Sequence, residues 1–347
     1  MLTFYNEQHG QHRGRHEFFR GELVPCFEKP ERADAVLAEL GRRGLGKIVT
    51  PHGVPLMTLE RVHTPRYLHF LRGAWNEWLA LDPANAQRDA FPAVWPVRSL
   101  RDDIEPDNFC AKLGLYSMDS GTPLTAGTWI AAKTGADCAV NAAHALRLGE
   151  RSTFALTRPP GHHAGADFFG GYCFLNNAAL AAQHLLDDGA RRVAILDLDY
   201  HHGNGTQSIF YERNDVLFVS LHADPRSEYP FYLGHADETG AGAGKGYNVN
   251  LPLPAGTAAQ GWFAALETAC LRLQMYNAEA LVVSLGVDTF AGDPLSRFAL
   301  HSADYLRIGE RLAYLGLPTA FVFEGGYAVK ELGVNVVNVL EGFETAL

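Results

Sequence analysis

The stretch Ile195-Leu-Asp-Leu-Asp-Tyr-His-His-Gly203 decides the fold, because an apolar strand runs directly into two carboxylates and two imidazoles. Residues two apart in an extended chain point the same way, so Asp197, Asp199 and His201 are expected on one face. Charged groups seldom end an apolar strand together unless they are paired or coordinate a cation. The stretch therefore predicts a buried strand with a metal ion at its carboxyl end.

Segments typical of strands and helices alternate around this strand, from about residue 130 to the end. Predicted strands cover 152–156, 193–198, 216–221, 280–287 and 319–323, and predicted helices cover 130–148, 176–186, 258–276, 304–315 and 335–343. This alternation indicates a central, mainly parallel sheet flanked by helices on both faces, an α/β fold in three layers. Ligands of such sheets bind beyond the carboxyl ends of the strands. No linker or repeat is visible, so one domain is expected over residues 1–347.

Composition is that of a globular enzyme, with 347 residues of which 47% are hydrophobic and 20% charged. The net charge of −10 argues against binding to nucleic acid or to an anionic membrane surface. No apolar run approaches the roughly 20 residues of a membrane span, and no leader pattern opens the chain, so a cytoplasmic location is expected. The five scattered cysteines form no C-x-x-C and predict reduced thiols.

Two segments depart from the alternating pattern. Segment 80–128 contains five prolines, several aromatic residues and an acidic patch. A loop of this length is usually functional or disordered, and its aromatic residues favour an ordered insertion that packs against another surface, such as a second subunit. Segment 8–16 is basic and carries three histidines, and it is interpreted as a polar surface loop.

A further carboxylate follows another predicted strand. The strand 281–287 ends at Asp288, which places this residue at the same rim as Asp199 and His201. Two carboxylates and one imidazole make an open zinc site with a position left for water. Oxygen-rich ligation also suits iron or manganese, and Asp288 alone is equally compatible with a helix N-cap.

Two other loops carry groups that act on protons or carbonyls. The loop Arg158-Pro-Pro-Gly-His-His-Ala164 supplies His162 and His163, one as a candidate general base and the other as its electrostatic partner. Two glycines before Tyr327 allow a tight turn that presents its hydroxyl as a donor to a developing oxyanion. The alternatives are histidines exposed to solvent and a turn that is only structural.

Six motifs in register resemble the zinc-dependent histone deacetylase superfamily. They are Arg158–His163, Gly170–Asn177, Asp197–Thr206, Val219–His222, Ser284–Thr289 and Glu324–Tyr327. Within that superfamily, Gly21–Pro25 and the insertion around Glu105 are similar to bacterial acetylpolyamine amidohydrolases. The resemblance implies an arginase-like, deacetylase-like fold and hydrolysis of an acetamide on a primary amine.

The resemblance also implies the roles of individual residues at the metal. Tyr327 would polarise the acetyl carbonyl, and His163 would activate water and then protonate the leaving amine, with His162 beside it as electrostatic partner. The expected zinc ligands are Asp199, His201 and Asp288.

A supporting set of residues is implied as well. Asp197 would hold His162, and Asn204 would contact His163 where some relatives have aspartate. A structural potassium ion is expected next to the zinc, bound by the backbone carbonyls of Asp197, Asp199, His201 and Leu221 and the side chains of Asp197 and Ser220. The alternative is that these groups only satisfy local hydrogen bonds.

The expected substrate is a small acetylated amine such as acetylputrescine or acetylcadaverine. A carboxylate at the channel mouth would stabilise its free ammonium; Glu105 is the first candidate and Asp119 the second, although Glu105 is equally compatible with a solvated surface acid. Related enzymes use the insertion as a dimer interface that restricts the channel, so a homodimer is implied. The channel walls are expected to be Tyr172 and one aromatic residue among Tyr229, Phe231 and Tyr232, of which Phe231 is the first choice.

Three other functions compete with this interpretation. A protein lysine deacetylase uses the same catalytic residues but needs an open rim, which the insertion disfavours. A binding protein with a deacetylase fold and no turnover would not require Tyr327 together with His163. A manganese ureohydrolase of arginase-like architecture needs more aspartates than this rim supplies.

Overall fold

Ten strands and ten α-helices make up the chain, and the computed structural model describes all of residues 1–347. The strands are β1 (Leu2–Phe4), β2 (His16–Phe19), β3 (Glu22–Pro25), β4 (Lys47–Val49), β5 (Ser152–Ala155), β6 (Val193–Asp197), β7 (Val216–Ala223), β8 (Asn248–Leu253), β9 (Ala280–Leu285) and β10 (Thr319–Phe323). The helices are α1 (Glu31–Arg43), α2 (Leu56–Leu59), α3 (Pro65–Leu81), α4 (Phe109–Leu115), α5 (Thr128–Arg147), α6 (Asn177–Asp187), α7 (Asn204–Phe210), α8 (Ala259–Tyr276), α9 (Ser302–Ala313) and α10 (Val329–Ala346). Short 3₁₀ helices cover Glu7–Gln11, Pro83–Gln87 and Gly242–Gly244.

Eight strands form one parallel sheet in the order β4-β1-β5-β10-β9-β6-β7-β8. Ile195 of β6 lies opposite Val282 of β9 on one side and Phe218 of β7 on the other. Because all strands run the same way, their carboxyl ends meet at one edge, and the loops after the four adjacent strands β5, β10, β9 and β6 converge there. The predicted α/β fold with a parallel sheet is confirmed. Strands β2 and β3 form a separate antiparallel hairpin.

Helices cover both faces of the sheet because alternate residues of each strand point to opposite sides. Ile195 and Val282 pack into the core formed with α5 and α6, whereas Leu196 and Val283 pack into the core formed with α1, α8, α9 and α10. Burial on both faces explains why the central strands are continuous apolar runs. The three predicted layers are therefore present.

The final helix begins earlier than the sequence pattern predicts, at Val329 rather than near Asn335. The carboxylate of Asp293 accepts hydrogen bonds from the backbone N–H groups of Tyr327 (2.6 Å) and Ala328 (3.1 Å), just before the helix. A carboxylate from a distant loop thus pairs donors that would otherwise be unsatisfied next to the helix start. The hydrophobic periodicity of the helix sequence cannot reveal such a distant partner.

The interpretation of segment 8–16 as a polar surface loop is wrong for two of its three histidines. His9 and His12 are buried, and only His16 is exposed. The reason is the buried guanidinium of Arg158, which donates to the backbone carbonyls of His9 (2.6 Å) and His12 (2.6 Å). Satisfying this charge draws the segment into the interior.

Segment 80–128 packs partly on its own chain. Tyr116 stacks on Phe70 of α3 with ring centroids 4.5 Å apart, and Phe109 lies 5.8 Å from Trp78 of the same helix. The outer side of the segment carries four apolar residues that are more than half exposed, Val94, Val97, Leu100 and Ile104. None of the helices combines the length and hydropathy needed to cross a membrane.

Candidate active site

A cavity of about 840 Å³ opens at the C-terminal edge of the sheet. We call the inner end of the cavity its floor. The floor is lined by His163, His201 and Tyr327, and the carboxylates of Asp199 and Asp288 lie beside them. Its mouth consists of the lining residues from the β2–β3 hairpin, from segment 118–122, from Tyr172 and from the loop 227–233. The loops after the four central strands build the floor, whereas the mouth comes mainly from other parts of the chain.

The three predicted metal ligands come together at the floor. Nδ1 of His201 lies 3.3 Å from an oxygen of Asp199 and 3.1 Å from an oxygen of Asp288. Both carboxylates are completely buried, and they come from the loops after β6 and β9. Two oxygens and one nitrogen that converge in this way can hold one metal ion with a coordination position left open.

Asp199 and His201 are not aligned by the alternation of side chains along a strand, which was the expected arrangement. Strand β6 ends at Asp197, and the backbone N–H of Asp199 then donates to the Asp197 carboxylate (3.1 Å). The backbone N–H of His201 donates to the Asp199 carboxylate in the same way (2.9 Å). Aspartate favours such turns because its oxygens accept N–H groups two residues on. Two successive turns, not one extended face, therefore aim Asp199 and His201.

The buried carboxylates at the floor favour binding of a cation. Burial, and then the neighbouring charge of Asp199, raises the pKa of Asp288 to about 7. Burial opposes a charge on His201 as well, but the carboxylates of Asp199 and Asp288 raise its pKa to about 10. Carboxylates brought together away from water are unfavourable unless a positive charge lies between them. The donor set fits zinc, and its oxygen content also fits iron or manganese.

A glycine is required where the loop after β10 passes the metal ligands. A Cβ on Gly325 would lie 2.6 Å from an oxygen of Asp288, well inside van der Waals contact. The backbone N–H of Gly325 donates instead to Asp199 at 2.8 Å. The glycine pair before Tyr327 thus lets the chain approach the carboxylates closely.

The two adjacent histidines have different partners and therefore different charges. Nδ1 of His162 lies 3.0 Å from the Asp197 carboxylate, and Nδ1 of His163 lies 2.7 Å from the amide oxygen of Asn204. Burial and the positive charge of His162 hold the pKa of His163 well below its usual range. Burial also opposes a charge on His162, but Asp199 and Asp197 raise its pKa to about 10. His163 is thus a neutral imidazole, with Nδ1 bonded to Asn204 and Nε2 free for the cavity.

Tyr327 is held by two residues that the sequence did not reveal. Asp293 accepts its backbone N–H, and Arg32 of α1 donates to the carbonyl of Gly326 at 2.6 Å. The Arg32 guanidinium also lies 4.7 Å from the centre of the Tyr327 ring. Burial raises the pKa of Tyr327, so the hydroxyl keeps its proton and remains a hydrogen-bond donor. No local pattern connects Arg32 to Tyr327, because the carbonyls of Glu324 and Gly326 to which it donates are more than 290 positions away in the sequence.

The residues expected to hold potassium also lie together. Asp197 of β6 is the register partner of Ser220 of β7, and Leu221 follows Ser220. The Ser220 hydroxyl pairs with Nδ1 of His222 at 2.8 Å. The backbone carbonyls of Asp199 and His201 accept no hydrogen bond from the protein.

Two tyrosines of the mouth form its inner walls, next to the floor. The Tyr172 hydroxyl donates to Glu17 at 2.7 Å, and its ring centre lies 5.6 Å from that of Tyr327. The Tyr229 ring lies edge-on to His163 with centroids 5.0 Å apart. Among the three aromatic residues left open for this wall, Tyr229 is the one that contacts His163. Phe231 also lines the cavity, but its side chain is about half exposed at the outer rim, at 48%.

Three acidic residues line the cavity, Glu17, Asp119 and Glu228, and the last of them pairs with Arg297 at 3.3 Å. Asp119 lines the cavity and accepts hydrogen bonds from the Tyr229 hydroxyl (2.8 Å) and the backbone N–H of Gly171 (2.6 Å). Glu105 is not among the residues that line the cavity of its own chain. Its oxygens instead accept the Tyr116 hydroxyl and lie 3.3 Å from Nζ of Lys112.

One of these cavity acids, Glu17 of β2, was not predicted from the sequence. It lines the cavity, is 1% exposed, and accepts hydrogen bonds from Tyr172 and from the backbone N–H of Phe27 (3.0 Å). Burial raises its pKa to about 7. A usable signal was the hairpin pattern around Arg20-Gly21, which places Glu17 on a strand rather than in a solvated loop.

Comparisons with known proteins agree with this geometry. The family model of the histone deacetylase domain matches residues 26–343. The chain is 56% identical to acetylpolyamine amidohydrolase 2 of Pseudomonas aeruginosa, with 99% of each chain covered, and 47% identical to the acetylpolyamine amidohydrolase of Mycoplana ramosa, again with 99% of each covered. The crystal structure of an acetylpolyamine aminohydrolase from Burkholderia pseudomallei superposes with a TM-score of 0.95 at 39% identity, covering 100% of this chain and 99% of that one.

Proposed function

This chain belongs to the histone deacetylase family, and we propose that it is a metal-dependent hydrolase that removes the acetyl group from small acetylated amines such as acetylputrescine and acetylcadaverine. One observation carries the proposal: a neutral His163, a protonated Tyr327 and a three-donor metal cluster meet at the inner end of one narrow cavity. Relatives that share about half of their residues with this chain over nearly its full length are named acetylpolyamine amidohydrolases, which supports the substrate class.

Zinc is the proposed metal, held by Asp199, His201 and Asp288. A zinc ion bound there would supply a Lewis acid for the acetyl carbonyl and would make a neighbouring water more acidic. The excess negative charge of two buried carboxylates supports a divalent cation at this position.

The protein groups divide the remaining work of amide hydrolysis. Nε2 of His163 accepts a proton from the attacking water, because Nδ1 of that ring is occupied by Asn204. The Tyr327 hydroxyl donates to the oxygen of the acetyl group as negative charge develops on it. His163 then returns the proton to the departing nitrogen as the C–N bond breaks, so that one water and one amide give acetate and a free primary amine.

Asp197 and Asn204 give the two histidines these different roles. The Asp197 carboxylate supports a positive charge on His162, whereas the neutral Asn204 amide supports none on His163. His163 therefore stays available as a base while His162 contributes a fixed positive charge. A binding protein that does not turn over its ligand would not require two histidines with different charges.

A structural potassium ion is the second proposed cation, next to the zinc. The carbonyls of Asp199 and His201, which have no protein donor, support it, together with the Asp197 side chain. Ser220 and the carbonyl of Leu221 would complete the ligand set. The ion would stiffen the turns that aim Asp199 and His201.

Recognition of the free ammonium of the substrate is proposed to come from the carboxylates at the mouth. Glu17 is supported most strongly, because an ammonium beside it would offset the burial that raises its pKa. Asp119 already accepts the Tyr229 hydroxyl and a backbone N–H, so it also holds the wall in place.

Glu105 would reach a mouth only across a subunit interface, since it does not line the cavity of its own chain. A homodimer is therefore part of the proposal. The exposed apolar residues of segment 80–128, Val94, Val97, Leu100 and Ile104, support an interface there. A cytoplasmic location stays a prediction.

Acetate release from acetylputrescine tests the activity. Zinc-loaded protein should release acetate, a chelator should abolish the release, and zinc should restore it to the chelated protein. Restored metal content without restored acetate release would contradict the proposal and would favour a binding protein.

A further inference from the structure

A second group of metal-binding side chains lies at the opposite edge of the sheet from the active site. His144 is in the last turn of α5, His184 is in the last turn of α6, and Asp188 caps α6. Helices α5 and α6 lead into strands β5 and β6, so their carboxyl ends lie at the amino-terminal edge of the sheet. The catalytic loops follow the same strands at the other edge, and the function proposed above uses none of these three residues.

The donor atoms of this group form a nearly equilateral triangle. Nδ1 of His144 and Nε2 of His184 are 3.4 Å apart, and each lies 3.3 Å from the same oxygen of Asp188. Hydrogen bonds of good geometry are about 2.7–3.2 Å long, so all three separations are wider than such bonds. A tetrahedral zinc ion with ligands at about 2.0–2.1 Å holds its ligand atoms about 3.3–3.4 Å apart.

The catalytic cluster provides an internal reference for this distance. Its imidazole nitrogen lies 3.3 and 3.1 Å from its two carboxylate oxygens. The surface group therefore has donor spacings like those of the cluster proposed to hold the catalytic metal, with two nitrogens and one oxygen in place of one nitrogen and two oxygens.

The surroundings also favour a cation. The carboxyl ends of α5 and α6 both point to the group, and the negative ends of two helix dipoles attract positive charge. Arg147 is close, but its guanidinium donates to the backbone carbonyl of Asp188 (2.7 Å) and leaves the carboxylate free. Asp187 pairs with Arg61 at 2.9 Å.

Exposure leaves room for the remaining coordination position. The side chains of His144, His184 and Asp188 are 53%, 20% and 34% exposed, so water can reach the open side of the triangle.

We propose that His144, His184 and Asp188 form a second metal site, which binds a divalent transition-metal ion such as Zn²⁺ with a water in the fourth position and ties the end of α5 to the end of α6. Two imidazoles select zinc, nickel or copper over magnesium and calcium, which prefer oxygen ligands. The site is independent of the acetyl-amine activity, so either proposal can fail without the other.

The test is a zinc titration of the enzyme already loaded with its catalytic metal, with bound metal counted after equilibrium dialysis at micromolar free Zn²⁺. The wild type should bind one equivalent more than the double variant His144→Ala/His184→Ala. A matched control, His52→Ala/His69→Ala, removes two exposed imidazoles elsewhere and should keep the extra equivalent. Equal stoichiometry in the wild type and the His144/His184 variant would overturn the site.

A second measurement guards against a variant that simply folds poorly. Asp188→Asn keeps the shape of the side chain but removes its charge. Free zinc should raise the Tm of the metal-loaded wild type by roughly 2 °C or more and should have clearly less effect on Asp188→Asn. Acetate release should be unchanged in all of these variants. An identical zinc response of Asp188→Asn and the wild type would contradict the assigned ligands.

Discussion

The floor and the outer rim of the mouth differ in burial and in their position relative to the sheet. At the floor, Asp199, Asp288 and His163 are buried and lie in loops that follow central strands. Each of the three side chains has a specific hydrogen-bond partner. At the mouth, Phe231 and Tyr232 are 48% and 87% exposed and belong to a loop outside the sheet. In the proposed function the floor binds the acetyl group, which is common to every substrate, whereas the mouth binds the amine, which differs between substrates. Floor variants should therefore lower all activities alike, and mouth variants should change their ratio.

The largest effect is expected for a metal ligand. His201→Ala removes the only nitrogen donor of the cluster and leaves two buried carboxylates without an imidazole between them. Turnover should fall roughly 10³-fold or more on acetylputrescine and on a neutral acetyl-lysine reporter alike. Metal analysis should show loss of the catalytic equivalent, and a variant that keeps both zinc and turnover would refute the ligand assignment.

Tyr327→Phe should produce the next largest loss at the floor. Removal of one oriented hydroxyl donor to a developing oxyanion typically lowers kcat about 10²–10³-fold. Zinc content should stay at the wild-type level, because Tyr327 is not a ligand. Steady-state kinetics on both substrates check this, and a kcat within a few fold of the wild type would remove Tyr327 from the chemistry.

Glu17→Gln should separate the mouth from the floor. The amide has the same shape but cannot neutralise an ammonium, so kcat/KM for acetylputrescine should fall about tenfold, equivalent to about 1.4 kcal/mol. The neutral reporter should lose much less. Equal losses on the two substrates would mean that Glu17 only holds Tyr172.

The pH dependence of selectivity gives an independent check on Glu17. Its pKa is raised to about 7 by burial, so the carboxyl is neutral below that pH and charged above it. The substrate ammonium, with a pKa near 10, stays charged across this range. The ratio of kcat/KM for acetylputrescine to that for the neutral reporter should therefore rise through about pH 7 in the wild type. In Glu17→Gln the ratio should be flat, and a rise that persists in this variant would assign the titration to another group.

Glu105→Ala is expected to have the smallest effect. Its carboxylate is partly exposed and paired with Lys112, so its loss should weaken diamine substrates a few fold and the neutral reporter less. Sedimentation at assay concentration should show whether the protein is a homodimer, as a contribution of Glu105 to a partner's mouth requires. Equal losses of kcat/KM on both substrates would show that Glu105 does not recognise the substrate ammonium.

The floor was predictable from the sequence for a physical reason. Each of its motifs directly follows an apolar strand, and the carboxyl ends of parallel strands meet at one edge. Asp199, Asp288, His163 and Tyr327 could therefore be assigned to one rim, and the structure brings their loops together there. The same reasoning placed five strands and five helices after residue 130, but it missed the edge strand β8 and the short helix α7.

Glu17 of the mouth and the residues that support Tyr327 at the floor were not predictable in the same way. Glu17 reaches the cavity from a hairpin near the N-terminus that does not belong to the sheet, and Arg32 and Asp293 support Tyr327 from elsewhere in the chain. These contacts join residues far apart in the sequence and leave no periodic pattern. The burial of His9 likewise depends on Arg158, which no local signal connects to it.

The most direct test of the account is kcat/KM of the zinc-loaded protein on acetylputrescine, acetylcadaverine and acetylspermidine beside an acetyl-lysine peptide, measured by released acetate. We predict a preference of roughly tenfold or more for the small amines, because a walled cavity with Glu17 inside it admits a narrow cation. Equal or faster hydrolysis of the peptide, or no acetate from any of the four substrates, would contradict the account.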